Sequence, residues 1–129
     1  MDYSLNEVQN SIKNNFASFC TKEIAPRAPL LDAASHEQVQ TMIKENIKKL
    51  ADIGYLGLAH EEKYGGTNLD LLSQAIAGEE VAKACASTFL SAGASNGLFG
   101  MPLKMFGTQE QKEKYLPGII KGDIIGAFG

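Results

Sequence analysis

Cysteine and histidine are scarce in this sequence, and these residues form the disulfide bonds and many of the metal sites found in small domains. The two cysteines, Cys20 and Cys85, are too few for a disulfide framework. Both fall on apolar faces of expected helices, so we expect buried, reduced thiols. The two histidines, His36 and His60, belong to no cluster of metal-ligating residues, and the sequence therefore predicts no metal site.

The sequence also lacks an excess of positive charge and any long apolar run. Its 12 basic and 15 acidic residues give a net charge of −3, whereas nucleic-acid binding needs clustered lysine and arginine. No apolar run approaches the ~20 residues that span a bilayer, and the first residues lack the basic and apolar regions of a signal peptide. We therefore expect a cytoplasmic protein, or one of the mitochondrial matrix if a transit peptide has been removed.

Three capping boxes predict where helices begin. In each box a serine or threonine is followed three residues later by a glutamate or glutamine, and each side chain satisfies a free backbone N–H group. Ser87 is a further predicted N-cap. The boxes pair Ser4 with Glu7, Ser35 with Gln38, and Thr108 with Gln111.

Apolar residues at helical spacing follow these starts and predict an all-α protein, an up-down helical bundle of about five to six helices. Pro26 and Pro29 end the first helix, Leu30-Leu31 predicts a packed turn, and Gly54 sits where a C-cap glycine ends the second helix. A third helix is expected from about Asp70 to Cys85. Its predicted inward residues are Leu71, Leu72, Ala75, Ile76, Val81 and Ala82.

The main loop covers residues 55–69 and contains the pair Gly65-Gly66. Glycine reaches positive φ without steric cost, so this pair predicts a tight turn. Two acidic pairs, Glu61-Glu62 in the loop and Glu79-Glu80 on the third helix, resemble candidate bases. Surface charge or pairing along a helix explains them better.

The residues from Ser91 to Gly100 are almost all small. Each of the glycines Gly93, Gly97 and Gly100 weakens a helix by about 1 kcal/mol relative to alanine. One interpretation is close helix–helix contact, which the spacing alone favours. The other is space left for a ligand, with Ser91, Ala94 and Leu98 lining one wall.

The chain closes on an apolar run, Ile124–Phe128, with the composition of a strand. No second strand follows it, and a lone strand is not stable in water. The sequence therefore predicts that residues 1–122 form a helical domain. Residues 123–129 are predicted to be the linker and first strand of a middle β-domain that is missing from the chain.

Three phrases of the sequence resemble those of one protein family. They are GYLGLAHEEKYGGTNLD, EEVAKACAST and FGTQEQKEKYLPGIIKGDIIGAFG, which begin at Gly54, Glu79 and Phe106. In this order and spacing they resemble the N-terminal α-helical domain of acyl-CoA dehydrogenases, over essentially the whole chain. Glu61 replaces the family's proline, Lys63 replaces a glutamate, and Ser95 stands near a histidine of many relatives. These departures leave the subfamily and the acyl length open.

The resemblance implies an FAD-dependent enzyme of three domains that oxidises an acyl-CoA to the trans-2-enoyl-CoA. A glutamate would take the α-proton while hydride leaves the β-carbon for the flavin. That glutamate belongs to the C-terminal domain of the family, so the resemblance implies no catalytic residue in this chain and an inactive fragment. It places the wall of the acyl-tail pocket at Leu90, Ser91, Ala94 and Leu98, and a first flavin contact at Phe128.

Partners also follow from the resemblance. An electron-transferring flavoprotein would reoxidise the flavin, and the full-length protein would be a homotetramer. FAD is not expected to bind this fragment alone. Two alternatives stay open, namely a flavin monooxygenase or nitroalkane oxidase of the same fold, and a helical interaction module without catalysis.

Overall fold

The computed structural model describes residues 3–129, most of which are helical. The π-helical segment Ala94–Gly100 continues α5 into α6 without a break in helical backbone. Counted this way, the described residues form five longer helices and the short α2, which confirms the predicted all-α fold. The α-helices are α1 (Glu7–Glu23), α2 (Ala28–Asp32), α3 (His36–Asp52), α4 (Leu71–Ala84), α5 (Ala86–Gly93), α6 (Met101–Phe106) and α7 (Gln109–Ile120).

The main core forms where α4 contacts α1 and α5, and where α5 contacts α3. Its fully buried aliphatic side chains include Ile24, Ile47 and Leu50. Each such side chain stabilises the fold by about 1.5–3 kcal/mol relative to an exposed one. Cys20 and Cys85 belong to the same core and are not bonded to each other. Burial, and then the charge of Glu80, raise the pKa of the Cys20 thiol to about 11, so this thiol is protonated at neutral pH.

A buried polar network fixes α3 against the start of α5. Asn46 is fully buried, and its amide Nδ2 donates to Thr88 Oγ1 over 2.9 Å. The Asn46 Oδ1 accepts from Arg27 Nε. The Thr88 hydroxyl in turn donates to Cys85 Sγ over 3.2 Å. Because both ends of the Asn46 amide have partners, its burial does not leave a polar group unsatisfied.

Two of the three predicted capping boxes are confirmed, those of Ser35 and Thr108. The first prediction, at Ser4, is wrong by two residues. The box that begins α1 is formed by Asn6 and Gln9, each of which bonds the other's backbone N–H. Asparagine is as good an N-cap as serine, and both pairs have the required spacing. The local pattern alone could not separate them.

The predicted N-cap at Ser87 is also wrong. The chain turns sharply at Cys85, whose backbone is extended (φ −161°), and α5 begins directly after it at Ala86. No side-chain cap bond is made there. The predicted turn at Leu30-Leu31 is instead the short α2, in which Leu31 is buried and Leu30 is exposed.

Three of the residues predicted to face inward from α4 are exposed instead. Leu71 is 79% and Leu72 53% exposed, and Ala75 is exposed as well, whereas Ile76 and Val81 are buried as predicted. The same turns of α4 bury Ser73, Ile76 and Ala77, so the exposure is confined to the other faces of the helix. Leu71 and Ala75 line an open groove, described below, instead of a helix contact.

The C-terminal segment after Gly122 has no regular secondary structure, and no strand occurs anywhere in residues 3–129. The expected strand is absent because a strand needs the hydrogen bonds of a neighbour, and this part of the chain offers none. Within the segment Gly126 is buried, whereas Phe128 is 77% exposed. That the segment begins a second domain stays a prediction.

Candidate functional site

A groove of about 460 Å³ lies between α4 and the continuous helix formed by α5 and the π segment. We call it the α4–α5 groove. Most of its lining is apolar or small, which is typical of a site for a small apolar ligand. The lining residues are Tyr55, Leu58, Ala59, Leu71, Gln74, Ala75, Gly78, Glu79, Ala82, Phe89, Ala92, Gly93, Asn96, Gly97 and Met101.

Glycine on one side of the α4–α5 groove leaves space that no neighbour fills. A Cβ atom added at Gly93 or Gly97 would meet no atom within 4 Å apart from the adjacent residues and the backbone of its own helix. Across the groove, Gly78 instead lies against the Phe89 ring, 3.3 Å from the position of its missing Cβ. Close helix contact therefore explains Gly78, whereas at Gly93 and Gly97 the missing side chains widen the groove.

The π segment changes which residues of this helix reach the groove. In it the Met101 N–H donates to the Asn96 carbonyl, five residues back, so the turn is wider than in an α-helix. Such turns recur at functional sites. Asn96 and Met101 both line the groove.

A buried histidine, His60, is hydrogen-bonded to Asn96. His60 is 0% exposed, and its Nε2 lies 2.5 Å from Asn96 Oδ1. Its Nδ1 has no hydrogen-bond partner in the described structure. Burial is the main cause of a lowered pKa for His60; the bond to Asn96 opposes the shift and the nearby charge of Lys104 adds to it. The imidazole is therefore neutral at pH 7.

The loop before α4 holds His60 in this position. The His60 carbonyl accepts from the Asn68 N–H over 2.9 Å, and Lys104 Nζ donates to the neighbouring Ala59 carbonyl. The predicted turn at Gly65 is confirmed, with φ +99°. Gly66 does not have positive φ. It is required for space, since an added Cβ would lie 2.0 Å from the His60 carbonyl oxygen.

A second groove, of about 660 Å³, lies beside α6, α7 and the C-terminal segment. We call it the C-terminal groove. Four of its lining residues are aromatic and none is charged: Leu98, Phe99, Pro102, Leu103, Phe106, Gly107, Gln111, Tyr115, Ala127, Phe128 and Gly129.

The residues that the sequence proposed for substrate and cofactor do not share one groove. Leu98 and Phe128 line the C-terminal groove, 56% and 77% exposed. Leu90, which is 68% exposed, Ser91 and Ala94 line neither groove. Their roles stay predictions.

Sequence reasoning missed the lining residues Phe89, Ala92, Gly93 and Asn96, which lie on the neighbouring face of the same helix. The available signal was Gly93 together with Gly97. Gly93 and Gly97 lie on the face of the helix that borders the open groove. The residues predicted from the sequence lie on the neighbouring face, which contains Ser91.

The residues that the structure describes bring no three metal-ligating side chains together. Glu79 is the one carboxylate in the lining of the α4–α5 groove, and it pairs with Lys83 over 3.1 Å. Lys83 also pairs with Glu80 over 2.9 Å. Within residues 3–129, no helix has the length and apolar character to cross a membrane.

Comparison with known proteins gives a consistent result. The family model for the acyl-CoA dehydrogenase N-terminal domain matches residues 6–123. The probable acyl-CoA dehydrogenase YngJ of Bacillus subtilis is 39% identical over 129 residues, which is all of this chain and 33% of the relative. The chain thus spans about a third of the length of the curated relatives it matches.

Solved structures agree with the family match. A chain in the structure of the electron transferring flavoprotein of Acidaminococcus fermentans superposes with a TM-score of 0.77 at 35% identity, over 97% of this chain and 32% of that one. The acyl-CoA dehydrogenase of Bacillus anthracis, complexed with FAD, gives a TM-score of 0.78 at 28% identity, over 93% and 20%. The chain belongs to the acyl-CoA dehydrogenase family, as its N-terminal domain.

Proposed function

We propose that this chain is the helical first domain, residues 1–122, of an FAD-dependent enzyme that desaturates acyl-CoA thioesters to trans-2-enoyl-CoA. Residues 1 and 2 of that domain lie outside the described structure. In this proposal residues 123–129 lead into a middle β-domain. The observation that carries the proposal is the apolar α4–α5 groove, with open space at Gly93 and Gly97, in a member of this family.

The domain would supply one wall of the acyl-tail pocket, and a second domain the other. Apolar side chains such as Leu58, Phe89 and Met101 would exclude water from the hydrocarbon tail. The family resemblance places the pocket wall at other residues of this helix, and these would contact the tail only if the pocket continues around the helix. They are Leu90, Ser91, Ala94 and Leu98. Both sets remain proposals.

The chain's own residues fit part of a flavin site. The C-terminal groove offers Phe128 and other apolar side chains, which suit one face of a planar ring system. It has no charged side chain that would hold the phosphates of FAD. When bound to the full-length protein, FAD supplies the acceptor for the hydride that leaves the β-carbon. Most of its binding energy would come from residues beyond Gly129.

The proton-transfer group would also lie outside this chain. Within the α4–α5 groove, Glu79 is exposed and paired with Lys83, which is the opposite of the dry, unpaired setting that raises a carboxylate's pKa for proton abstraction. We therefore propose that the fragment alone is inactive. We further propose that the full-length protein passes electrons to an electron-transferring flavoprotein, and the Acidaminococcus neighbour supports this part of the proposal. We also propose that the full-length protein is a homotetramer, which rests on the family resemblance alone.

The test is to express the full-length protein and titrate it anaerobically with a series of saturated acyl-CoAs. We expect a yellow protein whose oxidised-flavin absorbance is lost on adding substrate, with one enoyl-CoA formed per flavin. The 129-residue chain, mixed with FAD and acyl-CoA and then gel-filtered, should stay colourless. A flavin that no acyl-CoA reduces would contradict the proposal and favour a monooxygenase or nitroalkane oxidase. A full-length protein without flavin would favour an interaction module.

A further inference from the structure

Asn96 lines the α4–α5 groove with an amide that is bonded at one end only. Its Oδ1 is held by His60 Nε2, while its Nδ2 group has no partner within residues 3–129. An amide NH2 group is a donor of two hydrogen bonds and accepts none. In a groove lined chiefly by apolar side chains, it is a polar group placed where a ligand would meet it.

The bond to His60 determines which end of the Asn96 amide faces the groove. A neutral imidazole carries its proton on one nitrogen. The atom of Asn96 that lies against His60 Nε2 is Oδ1, and an amide oxygen only accepts hydrogen bonds. The proton therefore sits on Nε2 and is donated to Asn96 Oδ1, so the NH2 end of Asn96 points away from His60.

Gly100 makes room for this pair. A Cβ added there would lie 3.1 Å from Asn96 Oδ1 and 3.4 Å from His60 Nε2. His60 is in turn held by the loop, in which Gly66 allows the backbones to meet. Sequence spacing alone explains neither Gly66 nor Gly100. Both glycines allow the close packing that fixes the orientation of the Asn96 amide.

We propose that Asn96 determines substrate specificity, so that the α4–α5 groove selects acyl chains with a hydrogen-bond acceptor in their distal part over plain hydrocarbon chains. His60 is the positioning residue that fixes the amide. This inference rests on the proposed acyl-CoA dehydrogenase function and narrows its substrate class. The physical reason is that a hydrocarbon tail would cover the Asn96 NH2 group and strip its water without replacing the hydrogen bonds.

The experiment is an oxygen scan on the full-length, FAD-loaded protein. The saturated acyl-CoA with the highest kcat/KM is taken as reference, and each distal methylene is replaced in turn by an ether oxygen. The ether keeps the shape of the chain and adds only an acceptor. We expect about a tenfold higher kcat/KM at one position of the oxygen, and no gain at the others.

Substitutions at Asn96 and at His60 assign this preference to the pair. Asn96→Asp keeps an acceptor for His60 and replaces the donor by a carboxylate, so the preferred ether should become disfavoured. Asn14→Asp, the same substitution at an exposed site on α1, should leave the profile unchanged. His60→Phe should flatten the profile because the amide is no longer fixed, and His60→Gln, which keeps an N–H donor, should restore part of it.

The outcomes separate this inference from the proposed function. If no acyl-CoA reduces the flavin, both are overturned. If acyl-CoAs are oxidised but the wild-type oxygen scan is flat at every position, the role of Asn96 alone is overturned, whatever the folding of the variants. A preference that survives in a folded Asn96→Asp protein overturns it as well.

Discussion

The hydroxyl oxygen of Ser95 accepts a hydrogen bond from the backbone N–H of Gly126 over 3.0 Å, and both residues are buried. This bond ties the C-terminal segment to the π segment. The contact is close, because a Cβ at Gly126 would lie 2.5 Å from the Phe99 ring. The segment that we propose to lead into a second domain is therefore anchored on the helix that lines the α4–α5 groove.

Replacing Ser95 by alanine should release this anchor. The Gly126 N–H would lose its acceptor, at a cost of about 1–3 kcal/mol if it stays buried. We expect faster amide hydrogen exchange at Gly126, with little change in α1 or α3. Ser18→Ala, at an exposed serine of α1, serves as the control. Unchanged exchange at Gly126 in Ser95→Ala would mean that the hydrogen bond does not hold the segment.

Two glycine substitutions should act in opposite directions. Gly66→Ala would place a Cβ 2.0 Å from the His60 carbonyl oxygen, a clash with backbone that cannot move aside cheaply. We expect a loss of about 3 kcal/mol or more in the free energy of unfolding. Gly93→Ala has open space and helical φ of −64°, so it should gain up to about 1 kcal/mol.

Urea unfolding of this chain measures the change in the free energy of unfolding for both variants.

Because Gly93 lines the α4–α5 groove, Gly93→Ala should also narrow the groove. In the full-length protein, Gly93→Ala should then lower kcat/KM most for the longest acyl-CoA. Stability gained without any change in chain-length profile would argue that Gly93 does not border the acyl tail.

The sequence predicted the parts of this fold that depend on neighbouring residues. The caps at Ser35 and Thr108 involve side chains three residues apart, so a local pattern is sufficient. The His60–Asn96 pair joins residues 36 positions apart, and no local pattern marks it. The groove face was missed because Phe89, Ala92 and Asn96 follow the same helical period as Ser91, Ala94 and Leu98. Spacing therefore defines both neighbouring faces and does not say which of them borders the groove.

The stability of this chain should depend on pH through His60. Its pKa is lowered in the folded state below the ordinary value of 6.5, mainly by burial, so the unfolded chain binds more protons below about pH 6.5. Stability should therefore rise with pH up to about 6.5 and be lost as pH falls below it. Chemical unfolding between pH 5 and 8 measures this slope, which His60→Gln should remove. A wild-type slope that persists in the variant would assign it to other groups.

The position of the His60 proton is a separate prediction. Long-range proton–nitrogen NMR spectra of the imidazole should show the proton on Nε2 at pH 7, and the Asn96 side-chain NH2 signals should change in His60→Gln. A proton found on Nδ1 would reverse the inferred orientation of the Asn96 amide.

The exposed aromatic side chains beside the C-terminal groove should make the isolated chain self-associate. Phe106 is 81% and Phe128 77% exposed, and both line this groove. Contiguous apolar surface of this kind is normally covered by another domain or subunit in the complete protein. We propose that the missing domains cover it. Sedimentation should therefore show concentration-dependent association, which Phe106→Ser combined with Phe128→Ser weakens. Leu30→Ser, at an exposed leucine on α2, should leave the association unchanged. A wild-type chain that stays monomeric at high concentration would show that this face does not drive association and would weaken its assignment as a domain interface.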